Sequence, residues 1–172
     1  MSIITKSGDS GTTATADGRR VSKDDPLIHL YGELDALNAA IGAALCFMES
    51  KRNKATLTEV QEQIFKIGAH LGESKPAVSD KETVKMENEI HFMEEKLHSL
   101  HHFIIPRGTK GCCFLHLARV SARSVERRLA GMKAHKEYLA YFNRLSDLLF
   151  VMARWENKEE GVEEQIWKDW AD

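Results

Sequence analysis

Three arginines of one short stretch have the spacing of a charged row on a helix. Arg119, Arg123 and Arg127 lie four residues apart in HLARVSARSVERRLAG, residues 116–131. Residues four apart share one face of an α-helix, where like charges repel by about 0.2–0.5 kcal/mol per pair. Glu126 is the only acid in this stretch. The row therefore predicts either a solvated helix face or a binding site for a ligand with several negative charges.

A second stretch places polar residues beside an apolar stripe. In YFNRLSDLLFVMAR, residues 141–154, a helix would bring four side chains to one face: Asn143, Asp147, Phe150 and Arg154. A narrow polar line beside a core stripe is typical of a site that lies at the edge of the core. The alternative is an ordinary solvated edge in which Arg144 and Asp147 form an ion pair at i,i+3.

A third stretch contains an aspartate inside a strong helix pattern. Asp35 and Asn38 lie among leucines and alanines in GELDALNAAIG, residues 32–42. Aspartate lowers helix propensity, so a partner is expected for it, and an arginine of the 116–131 stretch is the obvious candidate. The alternative is a surface aspartate without a specific role.

The segment near the amino terminus combines groups that suit a phosphate. TKSGDSGTT, residues 5–13, contains several hydroxyls, two glycines and Lys6. Glycine lets the backbone approach a ligand closely, and consecutive N–H groups can point at phosphate oxygens. The order of residues is not that of a P-loop. An ordinary flexible terminus is the alternative.

Histidines and acids of a later stretch raise the possibility of a metal site. Glu95 and His98 form a Glu-x-x-His step, which di-iron helical bundles use. Such bundles need a second step of this kind, and the sequence contains only one, so a solvated helix face is favoured. The residues concerned are His91, Glu94, Glu95, His98, His101 and His102.

Apolar residues recur at intervals of three and four along most of the chain, which predicts helices. Period-two alternation is nearly absent, so the fold class is all-α, an up-and-down five-helix bundle with the packing of ferritin-like and four-helix bundles. We expect one domain over 1–172, with a ligand-binding loop at 1–26, the bundle at 27–157 and an acidic tail at 158–172. The expected helices run from Leu27 to about Ser50, from the candidate N-cap Thr58 to near Gly72, over 80–101 with Leu100 on its inward stripe, from about Lys110 to Leu129, and from about Lys136 to Asn157.

Composition narrows the classes of partner. The 24 Lys and Arg residues against 26 Asp and Glu give a net charge of -2, which argues against nucleic acid and anionic membranes as partners. The longest apolar run, residues 39–48, is too short to span a bilayer. Three cysteines fit neither a paired disulfide framework nor a zinc pattern, and no secretory signal is visible. We therefore expect the cytoplasm.

Taken together, four segments resemble the PduO-type ATP:cob(I)alamin adenosyltransferases. The resemblance implies a homotrimer of five-helix bundles with an active site in each cleft between neighbouring subunits. It also implies a reaction in which cob(I)alamin attacks C5′ of ATP, so that adenosylcobalamin forms and triphosphate leaves. The segments are TKSGDSGTT with RRVSKDD at 19–25, GELDALNAAIG, FIIPRG at 103–108 with HLARVSARSVERR, and YFNRLSDLLFVMAR.

The same resemblance implies roles for individual residues. The arginine row would face the triphosphate, and Asp35 would pair with Arg119 across the subunit boundary. Phe103 would block the lower face of the cobalt, and Phe150 would add apolar contact with the corrin. The phosphates would be held by Thr5, Lys6, Ser7, Gly8, Thr13 and Lys23, and the nucleotide site would be completed by Arg123, Glu126, Arg127 and Asn143.

Such a reaction needs no protein base, because the reduced cobalt is itself the nucleophile. A dry aromatic wall eases reduction of Co(II) by leaving no donor at its axial position. Besides the substrates ATP and cob(I)alamin, we expect Mg²⁺ on the phosphates and a cobalamin-dependent enzyme as recipient of the product. Two alternatives stay open: a low-turnover escort protein for adenosylcobalamin, and a helical metal-binding or scaffold bundle.

Overall fold

Five helices and one small hairpin make up the chain in a computed structural model that describes residues 3–15 and 18–167. The predicted all-α five-helix bundle is confirmed. No helix in these residues is long and apolar enough to cross a membrane. The elements are β1 (Thr12–Ala14), β2 (Arg20–Ser22), α1 (Pro26–Phe47), α2 (Lys51–Ala69), α3 (Asp80–Glu94), α4 (Lys110–Gly131) and α5 (Lys136–Glu159).

Helix α4 packs between α1 and α5, α2 packs on α1, and α3 packs on α5. Ion pairs between α2 and α3, Arg52 with Glu89 and Lys85 with Glu59, complete the circuit of helices at the surface. Every helix turns an apolar stripe inward, as the spacing predicts. The core includes Leu34, Leu37 and Ile41 of α1, Ile64 and Ile67 of α2, Met86 and Met93 of α3, Leu115 and Val125 of α4, and Phe142, Leu145, Leu149 and Met152 of α5.

The start of α2 differs from the prediction. Ser50, not Thr58, is the N-cap, and its hydroxyl accepts a hydrogen bond from the backbone N–H of Asn53 at 3.3 Å. Thr58 lies inside the helix, where its hydroxyl donates to the carbonyl of Lys54 at 2.9 Å. The break between α1 and α2 is therefore only three residues long, 48–50.

A buried carboxylate fixes this short break. Glu156 of α5 is fully buried and accepts hydrogen bonds from the backbone N–H of Glu49 at 2.7 Å and from Nδ2 of Asn53 at 3.4 Å. Burial raises the pKa of Glu156, and the two hydrogen bonds oppose that shift. The last helix thereby holds the turn between the first two.

Helix α3 is shorter than predicted. Its start is a capping box between Ser79 and Glu82, but it ends at Glu94 rather than near residue 101. Leu100 is exposed and not part of the inward stripe, because the chain has already left the helix there. The interval 95–109 instead leads across the end of the bundle to the N-cap of α4, Thr109.

The loop predicted over 1–26 contains a hairpin. Strands β1 and β2 pair antiparallel, with Thr13 opposite Val21, and Gly18 adopts a positive φ of 83° in the connection. Three-residue strands are too short to show an alternating pattern, which is why the sequence did not reveal them. Residues 1–2 and 16–17 of the predicted loop, and 168–172 of the predicted tail, lie outside the described residues.

Candidate active site

The three arginines of α4 form the row that their spacing predicts. Arg119 is half-buried, whereas Arg123 and Arg127 are exposed. Burial lowers the pKa of Arg119, and the charge of Arg123 lowers it further. In residues 3–15 and 18–167, no carboxylate lies within ion-pair distance of Arg123 or Arg127. The row is therefore a local cationic surface that is open to an external anion.

The next arginine along α4, Arg128, forms an ion pair with α1 and does not belong to the row. Both Nε and Nη2 of Arg128 donate to Oε1 of Glu33 on α1, at 3.2 and 2.9 Å. This pair joins α4 to α1 and draws Arg128 away from the row. Arg128 thus has a carboxylate partner, whereas Arg123 and Arg127 have none within ion-pair distance in residues 3–15 and 18–167.

Arg119 forms a hydrogen bond with a buried histidine, His116, that sequence reasoning missed. His116 is only 5% exposed, and its Nδ1 accepts a hydrogen bond from Nε of Arg119 at 3.4 Å. The ring of Phe150 lies 6.1 Å from the His116 ring in an edge-on arrangement and 6.0 Å from the Arg119 guanidinium carbon. The i,i+3 spacing of His116 and Arg119 was the available signal.

The histidine is neutral in this setting. Burial lowers the pKa of His116 to about 4, and the positive charge of Arg119 acts in the same direction. A neutral imidazole can accept a hydrogen bond from the Arg119 guanidinium, whereas an imidazolium would repel the guanidinium. His116 and Phe150 together therefore restrict where Arg119 can point.

We expect the burial of His116 to make stability depend on pH. The unfolded chain binds a proton below the ordinary pKa of 6.5, and the folded chain binds it only below about 4. The free energy of unfolding should therefore decrease as the pH falls through this window, by at most roughly 3 kcal/mol from this group. The variant His116→Gln lacks this contribution. The Tm of the wild type minus that of the variant, measured by circular dichroism, should decrease between about pH 7.5 and pH 4.5; a constant difference would contradict the assignment.

Helix α5 adds an amide and an aromatic ring to the row. Nδ2 of Asn143 donates to Oε1 of Glu126 at 3.1 Å, which links α5 to α4 beside the arginines. Asp147, on the same face, instead pairs with Arg144, as the solvated-edge alternative supposes. Burial raises the pKa of Asp147, while the charge of Arg144 opposes the shift. The structure thus brings together Arg119, Arg123, Arg127, Glu126, Asn143 and Phe150.

The N-terminal segment folds into a compact turn. The N–H of Asp9 donates to the carbonyl of Lys6, and the N–H of Gly11 donates to that of Gly8, at 3.3 and 3.2 Å. Lys6 adopts a left-handed φ of 56°, a conformation that is unfavourable for a residue with a Cβ. Residues in such conformations are concentrated at functional sites. Thr5 and Ser7 share a hydroxyl contact at 2.9 Å. Hydroxyls and backbone amides are therefore gathered in one place.

Two cations from β2 and its end close over this turn. Nη2 of Arg20 donates to the carbonyl of Ser7 at 2.7 Å and also contacts the hydroxyl of Thr12. The ammonium of Lys23 lies beside Gly8, where an added Cβ would come within 3.2 Å of it. Thr13 is half-buried on β1. Arg20 is a loop-ordering residue that sequence reasoning missed, although the RRVSKDD segment contained it.

The helical group and the N-terminal group are not joined within one chain. In the described part of the chain, no hydrogen bond or ion pair connects Thr5, Lys6, Ser7, Gly8, Thr13 or Lys23 with the site residues of α4 and α5. Asp35 is exposed on α1, beside a groove of about 340 Å³ between α1 and α2, and does not contact Arg119. Within the described residues, one chain therefore presents the helical group and the N-terminal group as two separate groups.

Phe103 presents an aromatic ring to solvent. Its residue is 81% exposed, which is unusual for a phenylalanine. It begins the FIIP segment, and Ile104 forms an antiparallel bridge with Ile166. The extended FIIP segment predicted from the sequence thus pairs with the segment around Ile166 that follows α5.

The histidine-rich stretch does not form a metal centre. Helix α3 ends at Glu94, so Glu95 and His98 are not on adjacent turns of one helix. His91 lies 3.7 Å from Glu94 as a surface pair. Within residues 3–15 and 18–167, no group of three or more His, Cys, Asp or Glu side chains could hold a metal ion.

Comparison with known proteins places these features in one family. Residues 3–156 match the family model described as cobalamin adenosyltransferase. The corrinoid adenosyltransferase PduO of Salmonella typhimurium is 35% identical over 170 residues, with 92% of this chain covered. The chain spans about half, 51%, of that relative's length. The corrinoid adenosyltransferase of Bacillus subtilis is 33% identical over 178 residues, with 94% of this chain and 90% of the relative covered.

A solved structure has the same fold. It is a phenylalanine-to-alanine variant of the PduO-type ATP:corrinoid adenosyltransferase from Lactobacillus reuteri, complexed with cobalamin and ATP. The TM-score is 0.89 at 28% identity, and the match covers 98% of this chain and 100% of the other. The helical site, the N-terminal turn and the sequence relatives agree: the chain belongs to the cobalamin adenosyltransferase family.

Proposed function

We propose that this chain transfers the 5′-deoxyadenosyl group of ATP to the cobalt of cob(I)alamin. In the step, the electron pair of Co(I) forms the Co–C5′ bond as the bond from C5′ to the triphosphate oxygen breaks. Triphosphate leaves with the electron pair of that bond. The products are adenosylcobalamin and inorganic triphosphate, and the protein supplies orientation and charge neutralisation rather than a base.

The observation that carries the proposal is the unpaired arginine row. Arg123 and Arg127 have no acidic partner within ion-pair distance among the described residues, and burial followed by the charge of Arg123 lowers the pKa of Arg119. A polyphosphate relieves this repulsion, and guanidinium groups bind phosphate oxygens by charge-assisted bidentate hydrogen bonds. The negative charge of the leaving triphosphate grows at this place as the C5′–O bond breaks, so the same groups stabilise the transition state.

The apolar side of the site suits a corrin. The exposed ring of Phe103 offers a surface without a nitrogen or oxygen donor, and Phe150 places a second ring beside Arg119. A cobalt face against such a surface has no axial ligand from the protein, which favours the reduced state. The nucleotide would then lie between the corrin and the arginine row.

The separation of the helical group from the N-terminal group within one chain supports a homotrimer. We propose that the N-terminal turn of one subunit faces α4 of its neighbour, so that Lys6 and Lys23 meet the phosphates held by Arg123. Asp35 would pair with Arg119 of the adjacent subunit. Its exposed position and its lack of contact with Arg119 in its own chain support this arrangement.

Magnesium would accompany the nucleotide. Mg²⁺ usually binds substrate phosphates, water and one or two carboxylates rather than an all-protein cage. Glu126, whose Oε1 accepts a hydrogen bond from Asn143, offers a carboxylate beside the row, and the described residues contain no metal-binding cluster. These residues fit an ion held chiefly by phosphate oxygens, where it would neutralise phosphate charge.

The compartment and the recipient of the product stay predictions. All three cysteines, Cys46, Cys112 and Cys113, are free thiols, which fits the reducing cytoplasm that we propose. Delivery of adenosylcobalamin to a cobalamin-dependent enzyme follows from the proposed reaction, since the product serves as a cofactor elsewhere.

Incubation with ATP, Mg²⁺ and chemically reduced cobalamin tests the function directly. We expect the corrin absorbance to change from that of cob(I)alamin to that of adenosylcobalamin over many equivalents per subunit, with triphosphate released in equal amount. One equivalent of product that stays bound would indicate an escort protein instead. No corrin response would contradict the proposal and favour a scaffold. Omission of ATP provides the control for non-enzymatic reoxidation.

A further inference from the structure

The carboxyl-terminal segment 161–167 lies along the FIIP segment and is named here the C-terminal strap. The N–H of Trp167 donates to the carbonyl of Phe103, and the N–H of Ile105 donates to the carbonyl of Gln165, each at 2.8 Å. Ile104 and Ile166 face each other as an antiparallel bridge. The backbone on both sides of Ile104 is therefore held by the strap.

The strap returns to this place through a turn at the end of α5. Gly161 has a φ of 68°, and the N–H of Val162 donates to the carbonyl of Asn157 at 2.8 Å. This left-handed glycine after a helix reverses the chain direction. A side-chain bond adds to the pairing, because Nη1 of Arg107 donates to Oε1 of Gln165 at 2.7 Å.

An ion pair between a buried arginine and a half-buried glutamate anchors the middle of the strap. Arg154 of α5 is only 6% exposed, and its Nε and Nη2 donate to the two carboxylate oxygens of Glu164 at 2.5 and 3.1 Å. Nη2 of Arg154 also donates to the carbonyl of His98 at 2.7 Å. Removing one partner of such a pair leaves a buried charge without compensation. Glu164 therefore fixes the strap against both α5 and the interval that precedes Phe103.

Phe103 depends on its backbone for its position. The residue is 81% exposed and so has little packing to hold the ring in place, whereas its carbonyl accepts a hydrogen bond from the N–H of Trp167. We infer that the C-terminal strap sets the position of Phe103 at the corrin face, with Glu164 and the N–H of Trp167 as positioning groups. This inference rests on the proposed function and adds the strap to the machinery for reducing cob(II)alamin.

Two substitutions at Trp167 test the inference most directly. Trp167→Pro removes the backbone N–H that donates a hydrogen bond to the Phe103 carbonyl. Trp167→Ala also removes the tryptophan side chain but keeps this N–H. The readout is the ratio of two rates: one starts from cob(II)alamin with a reductant, the other from pre-reduced cob(I)alamin. A misplaced Phe103 should lower this ratio about tenfold in Trp167→Pro, because small displacements are costly for oriented groups. Trp167→Ala should keep the wild-type ratio.

A second pair of variants probes the anchor. Glu164→Gln keeps the shape of the side chain and removes its charge, and Glu163→Gln is the matched control at the exposed neighbouring position. We expect the ratio to decrease in Glu164→Gln and not in Glu163→Gln. Combined with Phe103→Ala, Glu164→Gln should cause no further decrease in the ratio, since both changes act through the same ring.

The outcomes of these experiments distinguish failure of the inference on the strap from failure of the proposed function. If the wild type converts neither form of cobalamin, the proposed function fails. If the wild type is active and Trp167→Pro keeps the wild-type ratio, only the inference on the strap is overturned. Equal losses from both forms of cobalamin in Trp167→Pro and Glu164→Gln would also overturn it, because they would show a general structural role.

Discussion

Arg123→Ala should lower kcat/KM for adenosyl transfer by about a hundredfold to a thousandfold, which is the usual loss when one charged donor is removed from a developing anion. Arg123 is exposed and has no ion-pair partner in the described residues, so its removal breaks no salt bridge there. Steady-state kinetics from pre-reduced cob(I)alamin would give the loss. The helical content and the Tm should stay close to those of the wild type.

Two further variants sharpen this result. Arg123→Lys keeps the charge and loses the bidentate geometry, so it should recover part of the activity. Arg52→Ala removes an arginine that pairs with Glu89 at the surface of α2, far along the helix circuit from α4, and should keep nearly full activity. Unfolding of Arg123→Ala would mean instead that the arginine is structural.

Phe103→Ala should impair the reaction from cob(II)alamin by on the order of a hundredfold or more, equivalent to about 2.7 kcal/mol of barrier, and that from pre-reduced cob(I)alamin far less. The reason is that an alanine leaves room for water at the axial position of the cobalt, and an axial ligand makes reduction harder. Stability should change little, since the ring is exposed. Parallel assays from the two cobalamin forms measure the difference.

The control for Phe103 is an apolar side chain without aromatic character. Phe103→Leu still excludes water and offers no donor atom, so it should retain much of the activity from cob(II)alamin. Equal losses from both cobalamin forms in Phe103→Ala would count against the axial role. They would point to general corrin binding instead.

The helices of the site were predictable because their chemistry is periodic. The four-residue spacing of Arg119, Arg123 and Arg127 needs only an α-helix to form a row, and the apolar stripe beside it decides which way α4 faces. Asn143 and Phe150 follow from the same logic on α5. Local patterns thus determine which side chains share a face.

Other features depend on contacts that leave no local pattern. Ser50 and Thr58 are both favoured N-cap types, and the turn at Ser50 is held by Glu156, which lies far along the sequence. The burial of His116 follows from how α4 meets α5, which spacing does not show. Backbone pairing between Phe103 and Trp167 requires no particular side chains, so the strap had no signature.

The bond between Glu156 and the backbone of Glu49 spans 107 residues. A ribosome that has released only the first four helices has therefore not yet made the carboxylate that holds the turn between α1 and α2. Helix α5 also packs on α3 and α4, so the nascent chain keeps much of the apolar surface of these helices uncovered until α5 has been translated. The bundle can therefore be completed only after α5, its last helix, has left the ribosome.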